Sequence, residues 1–190
     1  MSGQLDFVAR LTEDLKSAGI PHMVVGSNAS SLWGAPRATH DLDLVIDPTE
    51  EQLDGLVASL GPGWFADASA ARAALRQRTM FNVIDTVTGW KADLIIRKDR
   101  PFSREEFARR TLRNLLGREL PVASAEDVIL TKLEWARRSG SERQLRDVQG
   151  IVAMQGHRLD LDYLRRWARE LGLAEDLEHV LEVPPGDGVT

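Results

Sequence analysis

Residues 41–47, Asp-Leu-Asp-Leu-Val-Ile-Asp, alternate with a period of two. In a β-strand successive side chains leave opposite faces, which puts Leu42, Leu44 and Ile46 on one face and Asp41, Asp43 and Val45 on the other. Two carboxylates two residues apart then project side by side, an arrangement that costs energy unless a cation is close. The pair suits Mg²⁺, a hard ion that takes oxygen ligands and keeps waters and substrate phosphates in its shell. Two such ions roughly 3.5–4 Å apart would activate an attacking hydroxyl and stabilise a leaving pyrophosphate.

Other carriers of a metal are limited by composition. The chain has no cysteine, so thiolate zinc sites, disulfides and cysteine nucleophiles are excluded. His22, His40, His157 and His179 are scattered without ligand spacing. A formal charge of −5 disfavours indiscriminate nucleic-acid binding, which needs clustered cations. The stretch from Arg97 to Arg118 is locally basic and reads either as a solvated face or as a surface for a polyanion. With 190 residues and 43% hydrophobic content, the sequence suits one compact domain or a core with a helical extension. The N-terminus lacks a basic and an apolar signal region, and no apolar run approaches the roughly 20 residues that span a bilayer. A soluble cytoplasmic protein without membrane contact is expected.

Apolar residues at Leu5, Val8, Leu11 and Leu15 predict an amphipathic helix closed by Gly19. His22 to Val25 reads as a short buried strand running into Gly26, and residues 26–34 as a short helix capped by Ser27 or Asn28. A helix N-terminus offers free N–H donors and a positive dipole end to an anion, so Gly26 and Ser27 are candidate phosphate holders. Arg37 and Thr39, just ahead of the aspartates, either assist or brace the loop. Thr49 and Gln52 form a capping box that opens a helix ending near Leu60. Residues 64–79 are ambiguous. Segments 81–87 and 91–97 flank Thr88 and Gly89 as a hairpin. Further capping patterns at Ser103, Ser124 and Ser141 predict helices beyond Arg97, with another over 161–171 and a loose tail in the last residues.

A third carboxylate would complete a two-metal site. Asp93, inside an apolar strand, is the better candidate and Asp85 the reserve. They lie on opposite arms of the hairpin, and the sequence alone does not show which one faces Asp41 and Asp43. Lys132 falls within the apolar stripe of Ala125, Val128, Ile129, Leu133 and Ala136, where a lysine needs a partner or must snorkel to solvent. Asp147 flanks the stripe of Leu145, Val148, Ile151 and Val152 and equally suits a surface pair with Arg143.

The segment from Gly26 to Asp47, with Gly-Ser opening a helix and Asp-x-Asp on the next strand, resembles the signature of the DNA polymerase beta-like nucleotidyltransferase superfamily. Residues 124–151, with a lysine on one helix and an aspartate on the next, are similar to the small bacterial branch that includes AbiEii-type toxins. The resemblance implies an α+β fold: a nucleotidyltransferase-like mixed β-sheet flanked by helices, then a C-terminal helical array. The expected division is a core over 1–100 and a helical region over 101–190 packed on it. By the same resemblance, Gly26 and Ser27 contact the triphosphate of an NTP such as ATP, with Arg37 and Thr39 as the further candidates beside them. Asp41, Asp43 and Asp93 bind Mg²⁺, Lys132 contacts phosphate, and Asp147 supports either that lysine or the acceptor. The implied activity is transfer of NMP to an acceptor, whether tRNA, a protein or a small molecule. A toxin role with an antitoxin partner is also implied. A non-catalytic binding module on the same fold is the competing expectation.

Overall fold

The computed structural model describes residues 2–36, 38, 39 and 41–182. Arg37, His40 and the tail beyond residue 182 lie outside the described residues. The chain divides into two compact units, one of residues 1–25 and 39–122, the other of residues 26–38 and 123–190.

The first unit opens with helix α1 (Ser2–Ser17), whose Phe7, Val8, Leu11 and Leu15 are all buried. Gly19 ends it at φ +66°, a conformation glycine adopts without the steric penalty of a Cβ. Strand β1 (His22–Val24) follows. Strand β2 (Asp41–Ile46) realises the alternation of the sequence, with Leu42, Leu44 and Ile46 almost fully buried. Helix α3 (Glu50–Ser59) carries the expected capping box, in which the Thr49 hydroxyl accepts from the Gln52 N–H.

The ambiguous stretch resolves into strand β3 (Trp64–Phe65) and helix α4 (Ala68–Gln77), capped by the Asp67 side chain. The hairpin consists of β4 (Met80–Asp85) and β5 (Lys91–Ile96). Helix α5 (Pro101–Ala108) starts with proline at its first turn, so Ser103 lies inside the helix instead of capping it. A second hairpin, β6 (Thr111–Leu115) and β7 (Arg118–Val122), occupies a region whose sequence had suggested helix. Its turn holds Leu116 and Gly117 at positive φ, and β6 is exposed on both faces, so it shows no burial period for a pattern to record.

Among the described residues, seven strands form one mixed sheet in the order β3-β4-β5-β2-β1-β7-β6. The pairs β2–β5 and β1–β7 are parallel and the others antiparallel. One face buries Leu42, Leu44, Ile46, Phe81, Val83, Ala92, Leu94 and Ile96. Burying such side chains contributes roughly 1.5–3 kcal/mol each, which fixes the register of the central strands.

The second unit groups helix α2 (Gly26–Trp33) with α6 (Ala125–Ser139), α7 (Glu142–Gln155), α8 (Leu161–Glu170) and α9 (Ala174–Glu182). Ser124 caps α6, and Gly140 closes it in the left-handed region. Helix α2 packs on α6 and α7. Trp33 Nε1 donates to the Ala123 carbonyl at 2.8 Å, and Gln155 Nε2 donates to the Trp33 carbonyl at 2.6 Å. Asp127, fully buried at the start of α6, accepts from the Tyr163 hydroxyl at 2.5 Å and the Ser124 hydroxyl at 2.7 Å.

Candidate active site

The parallel register of β2 and β5 sets Asp41 opposite Lys91 and Asp43 opposite Asp93. The antiparallel register of β4 and β5 sets Asn82 opposite Asp93. Register partners on adjacent strands share a face, so Asp41, Asp43, Asn82, Lys91 and Asp93 all stand on the face opposite the leucine layer. This face is partly open, with the Asp41 side chain 51% exposed and the Asp93 side chain 17% exposed.

The polar groups engage one another across the strands. Lys91 Nζ lies 3.1 Å from Asp93 Oδ1 and 3.6 Å from Asp41 Oδ2. Asn82 Nδ2 donates to Asp93 Oδ1 at 2.6 Å. The Asp93 hydrogen bond, followed by the charges of Asp93 and Asp41, raises the Lys91 ammonium above its ordinary pKa. The Val25 N–H donates to the Asp43 carbonyl at 3.0 Å, tying the exit of β1 to the centre of the carboxylate strand. Thr39 donates through Oγ1 to the Asp41 carbonyl at 3.2 Å, and its own carbonyl accepts from Gln4.

Asp85 stands elsewhere. It alternates with Phe81 and Val83 on the buried face and is fully enclosed. Its carboxylate pairs with Arg10 and accepts from the N–H groups of Val87, at 2.9 Å, and Thr88, at 3.3 Å. Burial alone would push this carboxyl up, but those N–H donors and Arg10 outweigh it and hold the pKa below the usual carboxylate value. Asp85 therefore closes the turn between β4 and β5.

All-oxygen donors on neighbouring strands suit a hard divalent cation in their chemistry. Among the described residues, no three imidazole or carboxylate side chains converge as a metal-holding group. Among the described residues, Lys91 places a positive charge beside Asp41 and Asp93. Neither Lys91 nor Asn82 was singled out from sequence. A signal for Lys91 was present, since it precedes Asp93 by two residues in a strand and so shares its face. Asn82 needed the cross-strand register.

In the second unit, Gly26 opens α2 at φ +60°, a left-handed conformation that specifically favours glycine. The helix begins at Gly26 itself, so Ser27 and Asn28 lie within its first turn and do not precede it as caps. Ser27 is half-buried, Asn28 is buried, and the Ser30 hydroxyl donates to the Ser27 carbonyl at 3.1 Å. Further along the unit, Lys132 is buried and donates to Asp147 Oδ2 at 2.7 Å and Gln144 Oε1 at 2.8 Å. The Asp147 side chain is 11% exposed. Lysine 132 thus has the partner its place in an apolar stripe required, and Asp147 faces it across the α6–α7 pair.

The fold is similar to several solved nucleotidyltransferase structures. The solution structure of the antibiotic-resistance factor ANT(2'')-Ia matches with a TM-score of 0.58 and 16% identity, over 94% of this chain and 97% of that one. An antigenic nucleotidyltransferase-like protein from Paracoccidioides brasiliensis matches with a TM-score of 0.57 and 20% identity, over 95% and 92%. The crystal structure of ANT(2")-Ia in complex with adenylyl-2"-tobramycin gives 0.57 and 15%, over 88% and 98%. No family model matches the chain, and no curated protein matches it in sequence. At these identities the likeness establishes an α+β, nucleotidyltransferase-like fold.

Proposed function

We propose that this protein is a nucleotidyltransferase that transfers a nucleoside monophosphate from an NTP to an acceptor hydroxyl. The acceptor oxygen forms a bond to the α-phosphorus, the bond from that phosphorus to the bridging oxygen of the β-phosphate breaks, and pyrophosphate leaves. The observation that carries this reading is the register of Asp43 against Asp93, with Asp41 on the same sheet face.

Asp41, Asp43 and Asp93 would hold Mg²⁺, with two ions expected, and bound metal would neutralise developing charge on the phosphates and the leaving group. Asp93, which accepts from Asn82 and Lys91, orients the acceptor hydroxyl and takes its proton. Gly26 and Ser27 bind triphosphate oxygens through the first N–H groups of α2 and the serine hydroxyl. Arg37 and Thr39 complete the assignment, and the Thr39 hydroxyl donates to the Asp41 carbonyl. Lys132 supplies a fixed positive charge for phosphate, and Asp147, bonded to it, keeps that ammonium in place. Most of the rate enhancement then comes from positioning and electrostatics.

Of the three acceptor classes, a small hydroxylated molecule is the first to test, because one solved protein of the same fold holds an adenylylated small molecule. tRNA and protein hydroxyls are the other two. A toxin role with an antitoxin partner rests on the resemblance of Lys132 and Asp147 to the AbiEii-type pattern.

The test incubates the full chain with each labelled NTP, Mg²⁺ and candidate acceptors, following pyrophosphate release. Wild-type protein transfers label, whereas Asp43→Asn lowers turnover at least about 100-fold with an unchanged melting temperature. Full turnover by the variant would sink the assignment. The competing reading, a binding module, predicts stabilisation by NTP without pyrophosphate release.

A further inference from the structure

Strand β5 supplies both signs of charge to the carboxylate face. Lys91 and Asp93 are two residues apart, so they emerge side by side, and Lys91 is also the direct parallel partner of Asp41. Its ammonium reaches both carboxylates, at 3.1 Å and 3.6 Å, while the side chain stays about one-third exposed. Asn82 donates to the same Asp93 oxygen that Lys91 approaches. Asp41 and Asp93 carry like charges on adjacent strands of the same face, and a cation between them offsets their repulsion. Lysine carries a compact charge on a flexible stem, so it can both occupy such a position and leave it.

We propose that Lys91 is a positioning residue that acts as a resident counter-cation of this face: it neutralises Asp41 and Asp93 when no divalent ion is bound, and a divalent ion must displace it. The inference rests on the metal-holding reading of the three aspartates. Lys91 therefore sets the cation concentration at which the face fills, and its charge keeps the metal-free sheet from straining under carboxylate repulsion. Because the ammonium sits on the solvent side of a strand whose other face is packed, its removal changes charge without opening a cavity.

The test is direct binding of Mn²⁺ to the full chain, followed through the electron paramagnetic resonance of the free ion, together with thermal melts in a chelator. Lys91→Met should bind Mn²⁺ about tenfold more tightly than wild type, since a repelling unit charge is gone at short range, and it should melt at a lower temperature in the chelator. Lys91→Gln is expected to behave alike and carries the test if the methionine variant does not fold. Lys91→Arg, which keeps the charge, restores wild-type affinity. Equal or weaker Mn²⁺ binding by both neutral variants, with Asp43→Asn still abolishing binding, overturns the role of Lys91 and leaves the aspartate reading standing. No Mn²⁺ binding by wild type and Lys91→Met alike overturns both.

Discussion

Asp43 and Asp93 are direct partners on the parallel strands β2 and β5, so their carboxylates leave one face of the sheet from adjacent strands. Asp85, only eight residues before Asp93, points to the opposite face and is fully buried against Arg10 and the Val87 and Thr88 N–H groups. Substitutions at the two positions should give opposite signatures. Asp93→Asn should suppress nucleotidyl transfer at least about 100-fold while the protein melts within a few degrees of wild type. Asp85→Asn should cost about 1–3 kcal/mol of stability by leaving buried donors poorly matched. Paired melting curves and pyrophosphate-release rates check this. A transfer defect at Asp85 without lost stability would contradict it.

Lys132 and Asp147 form a largely buried ion pair, and removing either member alone leaves a charge without its partner. Lys132→Met should therefore destabilise the protein by roughly 3 kcal/mol. The double variant Lys132→Met with Asp147→Leu should recover most of that loss, because an apolar pair of similar volume needs no charge compensation. A double-mutant cycle by chemical denaturation measures the coupling. If Lys132 also serves phosphate, the double variant regains stability without regaining transfer.

His22 is buried, its Nδ1 is 3.1 Å from the Ile20 carbonyl, and its Nε2 has no hydrogen-bond partner among the described residues. Burial, and the nearby charges of Lys16 and Arg110, lower its pKa from the ordinary 6.5 despite the Ile20 contact. The unfolded chain therefore takes up the proton first as pH falls. Stability from this residue is complete above pH 6.5 and is lost as pH drops through the lower folded value. Melting temperature should decline from pH 7 towards pH 5, and His22→Leu should flatten that decline. Asp85 acts in a separate window, since its folded pKa lies below 3.8 and its contribution fades only in stronger acid.

At Gly34 an added Cβ would stand 2.9 Å from the Ile151 backbone nitrogen, so the end of α2 rests on α7 at a distance only glycine permits. Gly34→Ala should cost about 1–3 kcal/mol by forcing the helices apart. Gly55, inside α3, has nothing within 4 Å of such a Cβ, and Gly55→Ala should add about 0.5–1 kcal/mol through better helix propensity. Urea denaturation of the two variants distinguishes steric contact from propensity.

Local periodicity by itself determined the elements of the central sheet. The alternation over residues 41–47, the capping box at Thr49 and the arms around Thr88 and Gly89 each write their conformation into a few consecutive residues. It also determined that Asp41 and Asp43 share a face, because that follows from strand geometry within one segment. Tertiary structure decided which later residues join them. The face on which Asp93 and Lys91 stand relative to β2 depends on hydrogen-bond register between strands whose partners are 50 residues apart, Asn82 joins them through the β4–β5 hairpin register, and register is set by burial of the opposite, apolar face. The same holds for Lys132, whose stripe position marked a need for a partner while only helix packing supplied Asp147 and Gln144. Strand β6 left no burial period because neither of its faces is covered, and the grouping of α2 with helices a hundred residues later left no local pattern because packing between distant segments creates it.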